Sequence, residues 1–148
     1  MQTTKVDLGS PEWIALAGEY LIEQVGTLAP DLDADFSLCE VFTSPPAHLD
    51  DGSGEVAWWL AIQGCNASFG AGRRDDIDRV AEVDYEQTLP YARLVYDLDD
   101  PEIAQMLRDR AEANRAAAAA EGREPLELPE ELGTLLRGLH NYLAPRTR

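Results

Sequence analysis

Seven consecutive apolar residues, Val56 to Ile62 (VAWWLAI), form the longest apolar run in the chain and carry two of its three tryptophans. The run is far shorter than the roughly 20 residues that span a bilayer. Gln63-Gly64-Cys65-Asn66 interrupts it with turn chemistry, and a second segment, Ala67 to Phe69, is closed by Gly70-Ala71-Gly72. Two apolar runs joined by a short turn bearing Gly and Asn read as a β-hairpin. A third run, Ile77 to Val83, mixes apolar and charged residues and is expected to be the next strand of the same sheet. Within the central run Trp58, Leu60 and Ile62 face one way, and Ala57, Trp59 and Ala61 the other. Both sides are apolar, so the strand is buried on both faces or lines a cavity with one.

The flanking chain supplies what covers such a sheet. Phe36 to Thr43 alternates as a strand, with Phe36, Leu38, Glu40 and Phe42 on one side, and Pro45-Pro46 ends it. Before it, Ser10-Pro11-Glu12 combines a capping side chain, a proline suited to the first helical position and an acid at the positive end of the dipole. Trp13, Ile14, Ala17, Leu21 and Val25 then recur near a 3.6 period, which predicts a helix over about 11–25. Asp84 and Gln87 form a capping-box-like start for a helix over about 85–96, interrupted by Pro90. Asp100-Pro101-Glu102 opens another over 101–120, whose alanine-rich second half has propensity but little to bury. A last helix over 129–142 carries Leu132, Leu135, Leu136, Leu139 and Leu143 as a wide stripe. The tail 144–148 is expected to fray. The expected fold is one α+β domain over 1–148, a mainly antiparallel twisted sheet covered by helices. Its strands fall at about 36–43, 55–63, 65–70 and 76–83, four to about five in all.

Charge excludes several partner classes. With 28 acidic against 12 basic residues the formal charge is −16, and Lys5 is the single lysine. Such a surface repels phosphate backbones and anionic headgroups, so neither nucleic acid nor membrane insertion is expected. The first ten residues lack the apolar core of a signal peptide, which points to the cytoplasm. Cys39 and Cys65 are too few and too far apart for a metal or redox motif, and read as small residues within strands. Asp31, Asp33 and Asp35 alternate, but the glycine and glutamate of a calcium loop are missing where Phe36 and Phe42 stand, so a solvated linker is the reading.

No nucleophile elbow, HExxH motif or P-loop is present, and with this many acids, chance pairs of carboxylates carry little information. No catalytic residue, metal or cofactor is therefore assigned. Asp78, Glu82 and Asp84 share one side of the last expected strand, where a carboxylate in a pocket would be a general base, but a wet face is the simpler reading. The aromatic residues carry more. Trp58, Trp59, Phe69, Tyr85, Tyr91 and Tyr96 come from neighbouring elements, and either pack as a core or line an apolar cavity between sheet and helices. The ligand-binding candidates are Trp58, Trp59, Phe69, Tyr85, Tyr91 and, from the 101–120 helix, Met106.

The order of these elements resembles the sterol carrier protein type-2 family. The resemblance runs over about residues 10–100: the capped helix, the strand, the hairpin AWWLAIQGCNASFGAG, and the strand leading directly into a helix at Asp78-Arg79-Val80-Ala81-Glu82-Val83-Asp84-Tyr85. It implies a twisted sheet of about five strands under helices, with an apolar tunnel for sterols or acyl chains. The family's glycine-bearing final strand would fall at Ala116 to Leu128, which here is alanine-rich and then broken by proline. The expected function is carriage of a sterol-like or fatty-acyl molecule without chemistry. Two alternatives stand beside it. One is a small α+β barrel enzyme of the limonene epoxide hydrolase or ketosteroid isomerase type; the other is a homodimer formed through the 103–120 helix with no ligand.

Overall fold

A computed structural model describes residues 5–28, 35–64, 66–122 and 130–148. Helix α1 (Pro11–Leu28) is followed by four strands, β1 (Asp35–Thr43), β2 (Glu55–Gln63), β3 (Asn66–Ala71) and β4 (Arg79–Asp84). Helices α2 (Tyr85–Ala92), α3 (Pro101–Ala120) and α4 (Glu130–Leu143) complete the chain with a short 3-10 turn at Ala144–Arg146. The fold is α+β, with the expected helices and strands in the expected order. Residues 116–120 of the stretch where the resemblance implies a final strand belong to α3, and its 123–128 part, Cys65 and residues 31–34 lie outside the described residues.

The sheet is open and mixed, in the order β3-β2-β1-β4. β1 and β2 run antiparallel with Leu38 opposite Leu60 and Glu40 opposite Trp58. β3 continues the hairpin antiparallel to β2. β4 does not extend the meander: it crosses to the far edge and pairs with β1 in parallel, Cys39 opposite Val80. The antiparallel expectation therefore holds for two of the three pairings. Alternation along β4 tells which side each residue faces, not which neighbour it has. Where β4 joins this edge, Ser37 and Asp78 exchange bonds. The Ser37 amide donates to Asp78 Oδ2 at 2.9 Å, and the Asp78 amide to Ser37 Oγ at 2.8 Å.

The large core lies on one side of this sheet. Trp13, Ile14, Ala17, Leu21 and Val25 of α1 and Leu132, Leu135, Leu139 and Leu143 of α4 bury against Phe36, Phe42, Trp58, Leu60 and Ile62. α1 starts where the Ser10 hydroxyl accepts from the Trp13 amide at 3.2 Å. It runs three residues past the expected end: a glycine costs a helix interior only about 1 kcal/mol, and Gly26 does not end it. α2 is capped by Asp84, which accepts from the Gln87 amide at 3.0 Å, and stops at Ala92 rather than 96. Pro90 lacks the N–H that would bond back to residue 86, yet the helix continues two residues past it, and the Arg93 amide donates to the Leu89 carbonyl at 3.2 Å at its end.

The tail does not fray. Val6 and Thr147 form a parallel bridge, the Val6 amide donating to the Arg146 carbonyl at 2.8 Å and the Arg148 amide to the Val6 carbonyl at 2.7 Å. Thr147 is 2% exposed. Its hydroxyl accepts from the buried Trp13 indole at 3.2 Å and donates to the Leu143 carbonyl at 2.7 Å. A buried indole N–H needs an acceptor, and the tail provides it.

Candidate functional site

Between the inner sheet face and the helices is a cavity of about 240 Å³. Its floor is Leu38, Phe42, Trp58 and Leu60 of the sheet. Leu8 and Trp13 close one wall; Tyr91 and Ala92 of α2 and Leu136, Leu139 and Leu143 of α4 close the others. Trp13 meets Trp58 edge to face with ring centroids 5.1 Å apart. Trp58 is 1% exposed, whereas Tyr91, at 44%, stands at the mouth.

One charged side chain projects from the floor. Glu40 falls on the inward side of β1 between Leu38 and Phe42, as alternation requires. Trp58 is its partner across the ladder, and the Trp58 indole donates to Glu40 Oε1 at 3.0 Å. Burial pushes the Glu40 carboxyl up from the usual range, against the pull of that bond and of the Arg110 charge. Among the described residues no Lys, Arg or His pairs directly with the Glu40 carboxylate.

A chain of contacts forms the polar rim. Arg110, projecting from α3, donates to Tyr96 Oη at 2.8 Å and lies over the Tyr91 ring at 5.4 Å. Tyr96 stacks on His140 of α4, centroids 3.7 Å apart and planes 8° from parallel. His140 Nε2 donates to the Leu94 carbonyl at 2.7 Å. Asn141, the next residue, holds Tyr96 at both backbone groups: Oδ1 accepts from its amide at 2.7 Å and Nδ2 donates to its carbonyl at 3.2 Å. α4 thus clamps the 93–100 segment across the cavity. Burial lowers the His140 pKa, opposed by the Leu94 carbonyl, so the ring favours its neutral form.

The structure brings two of the six sequence candidates, Trp58 and Tyr91, to this cavity. Tyr85 packs edge to face on Phe42 at 6.1 Å, and its hydroxyl pKa is pushed up to about 12, chiefly by burial. Phe69 lies against Gly18 of α1. Trp59 is on the opposite sheet face, under the Arg74 guanidinium at 4.5 Å from the ring. Met106 lines a shallow groove along α3 with Pro101, Gln105 and Asp109. Three acids weighed above serve the backbone or an ion pair: Asp78 bonds Ser37, Asp84 caps α2, and Glu82 pairs with Arg73 at 2.7 Å. Cys39 is buried on the outer face. Glu40, Trp13, Arg110 and His140 escaped the sequence reading. For Glu40 a signal existed: it is the single charge on the Phe36-Leu38-Glu40-Phe42 face.

Among the described residues no group of three or more His, Cys, Asp or Glu is placed to hold a metal ion. None of the described helices is long and apolar enough to cross a membrane. A scan against protein-family models and searches of curated proteins and of solved structures find no match to this chain.

Proposed function

We propose that the protein binds a compact apolar molecule in the cavity between sheet and helices. The supporting observation is the pairing of a largely aromatic and aliphatic lining with one inward carboxyl, the usual make-up of a small-molecule site. Size narrows the sterol-like or fatty-acyl class. An apolar cavity of about 150 Å³ takes benzene, so this one encloses about ten heavy atoms. A sterol or long acyl chain would enter by one end only and leave the rest beyond Tyr91. On this reading the site is a reduced form of the sterol carrier arrangement, a cavity in place of a through-tunnel. The enzyme alternative draws on Glu40, which stands where a general base for an apolar substrate would stand.

The test is thermal melting and tryptophan emission with 1-octanol and with cholesterol. Octanol is expected to raise the melting temperature and shift the emission of Trp13 and Trp58. At a free concentration of a hundred times Kd the gain is about 2.7 kcal/mol. Leu136→Trp, which fills the cavity, should melt near the parent temperature and lose both responses. Octanol leaving melting and emission unmoved in the parent protein would sink the proposal.

A further inference from the structure

An apolar molecule alone leaves one problem in this cavity. Glu40 Oε1 is occupied by the Trp58 indole, and the rest of the carboxylate has no protein donor among the described residues. Arg110 is engaged at the rim with Tyr96 rather than with Glu40. A purely hydrocarbon ligand would drive water from the remaining acceptor positions and replace it with nothing, which is costly for a charged group. A ligand that brings its own donor to Glu40 removes that cost.

We infer that the preferred ligand is a small organic amine, bound as its ammonium against Glu40 with its hydrocarbon part among Trp13, Phe42 and Trp58. This rests on the cavity-binding reading above and names the ligand class. Three further observations favour a cation over a neutral alcohol. A carboxylate accepts more strongly from a charged donor than from a neutral one. Trp13, Phe42, Trp58 and Tyr91 line one cavity, and indole and phenol faces attract a cation within about 6 Å. The whole chain carries −16, a field that concentrates cations at its surface and repels carboxylates. Arg110 opposes this at the mouth, where its charge reaches Glu40, but its side chain is exposed and held against Tyr91 and Tyr96, so solvent screens it more than it screens the inward carboxylate.

The experiment compares three probes of equal bulk, 2-phenylethylamine, 2-phenylethanol and phenylacetate, by calorimetric titration into the full chain and into Glu40→Gln. The amine is expected to bind at least about tenfold tighter than the alcohol, and the carboxylate weakest. In Glu40→Gln, which keeps the Trp58 bond but not the charge, the advantage of the amine over the alcohol should fall several-fold, to what the rings and the net charge alone contribute. Should Glu40→Gln fail to fold, Glu40→Asp withdraws the charge by one methylene and should weaken the amine while sparing the alcohol. Equal binding of amine and alcohol by the parent protein overturns the amine inference and leaves cavity binding intact. Carboxylate binding tightest overturns it too and makes Arg110 the anchor. Binding of none of the three overturns both readings together.

Discussion

Trp58 and Trp59 are adjacent in sequence and identical in chemistry, yet they belong to two different environments. Trp58 faces inward, where α1 and α4 close over it. Its ring meets Trp13, and its indole N–H is bonded to Glu40. Trp59 faces outward over a smaller cluster of Cys39, Val41 and Ala57, partly covered by Ile77, Val80 and the Arg74 guanidinium. Two helices cover the first face; the crossing segment 72–78 and the residues at its exit cover the second. The difference shows what a helix layer adds over a loop. Helices bring enough side chains to bury a tryptophan completely and still leave a shaped gap, whereas a loop shields the sheet without enclosing a volume.

The most direct way to break that contrast is truncation of each ring. Trp58→Ala should cost about 3–5 kcal/mol in urea unfolding, as for other buried aromatics. Trp59→Ala should cost about 1 kcal/mol, the scale of a partly exposed cation–π contact. Equal losses would mean that the two faces are equally packed. A smaller effect comes from two glycines beneath aromatic rings. A methyl group at Gly18 would be driven into Phe69, whose ring is held between α1 and β3, so Gly18→Ala should lose about 1–3 kcal/mol. A methyl group at Gly70 would come within 2.8 Å of Trp59 Nε1, but that ring lies on the looser face and can turn aside. Gly70→Ala should therefore lose less than Gly18→Ala, and the reverse order in the same unfolding assay would contradict the account of the two faces.

The smallest effect is electrostatic. Burial raises the Glu40 pKa, so its contribution to stability is complete below the unfolded value near 4.5 and is lost as pH rises through the folded value. Arg110 and the indole of Trp58 act on the same carboxyl, and His140 lines the same cavity. His140, with its pKa lowered by burial, has the opposite dependence: its contribution is present above about 6.5 and fades as pH falls. Glu40→Gln should accordingly melt higher than the parent at pH 8 by a few degrees, about 1 kcal/mol. The gap should shrink toward pH 5. A gap that widens on acidification would mean that the carboxylate is stabilised in the folded state and that the cavity is wetter than its lining implies.

Much of this molecule was legible in one dimension because helix and strand periods are local. The Ser10-Pro11-Glu12 and Asp100-Pro101-Glu102 starts, the Leu132 to Leu143 stripe and the VAWWLAI strand each specify an element and its apolar side from side chains within a few residues of one another. Alternation also put Glu40 on the side of Phe36, Leu38 and Phe42, but that this side faces a cavity is not written in the strand. The remainder depended on contacts between residues far apart in the chain. β4 takes its edge by a ladder with β1 and by the Ser37–Asp78 exchange, between residues 41 apart. The docked tail followed from the Trp13–Thr147 bond, 134 residues apart. The cavity is a gap left where strands, four helices and a linker meet, and its rim is held by the clamp of His140 and Asn141 on the segment around Tyr96. No periodicity encodes such a gap, because periodicity records which way a side chain points, while a cavity is set by how far the opposing side chain stands away.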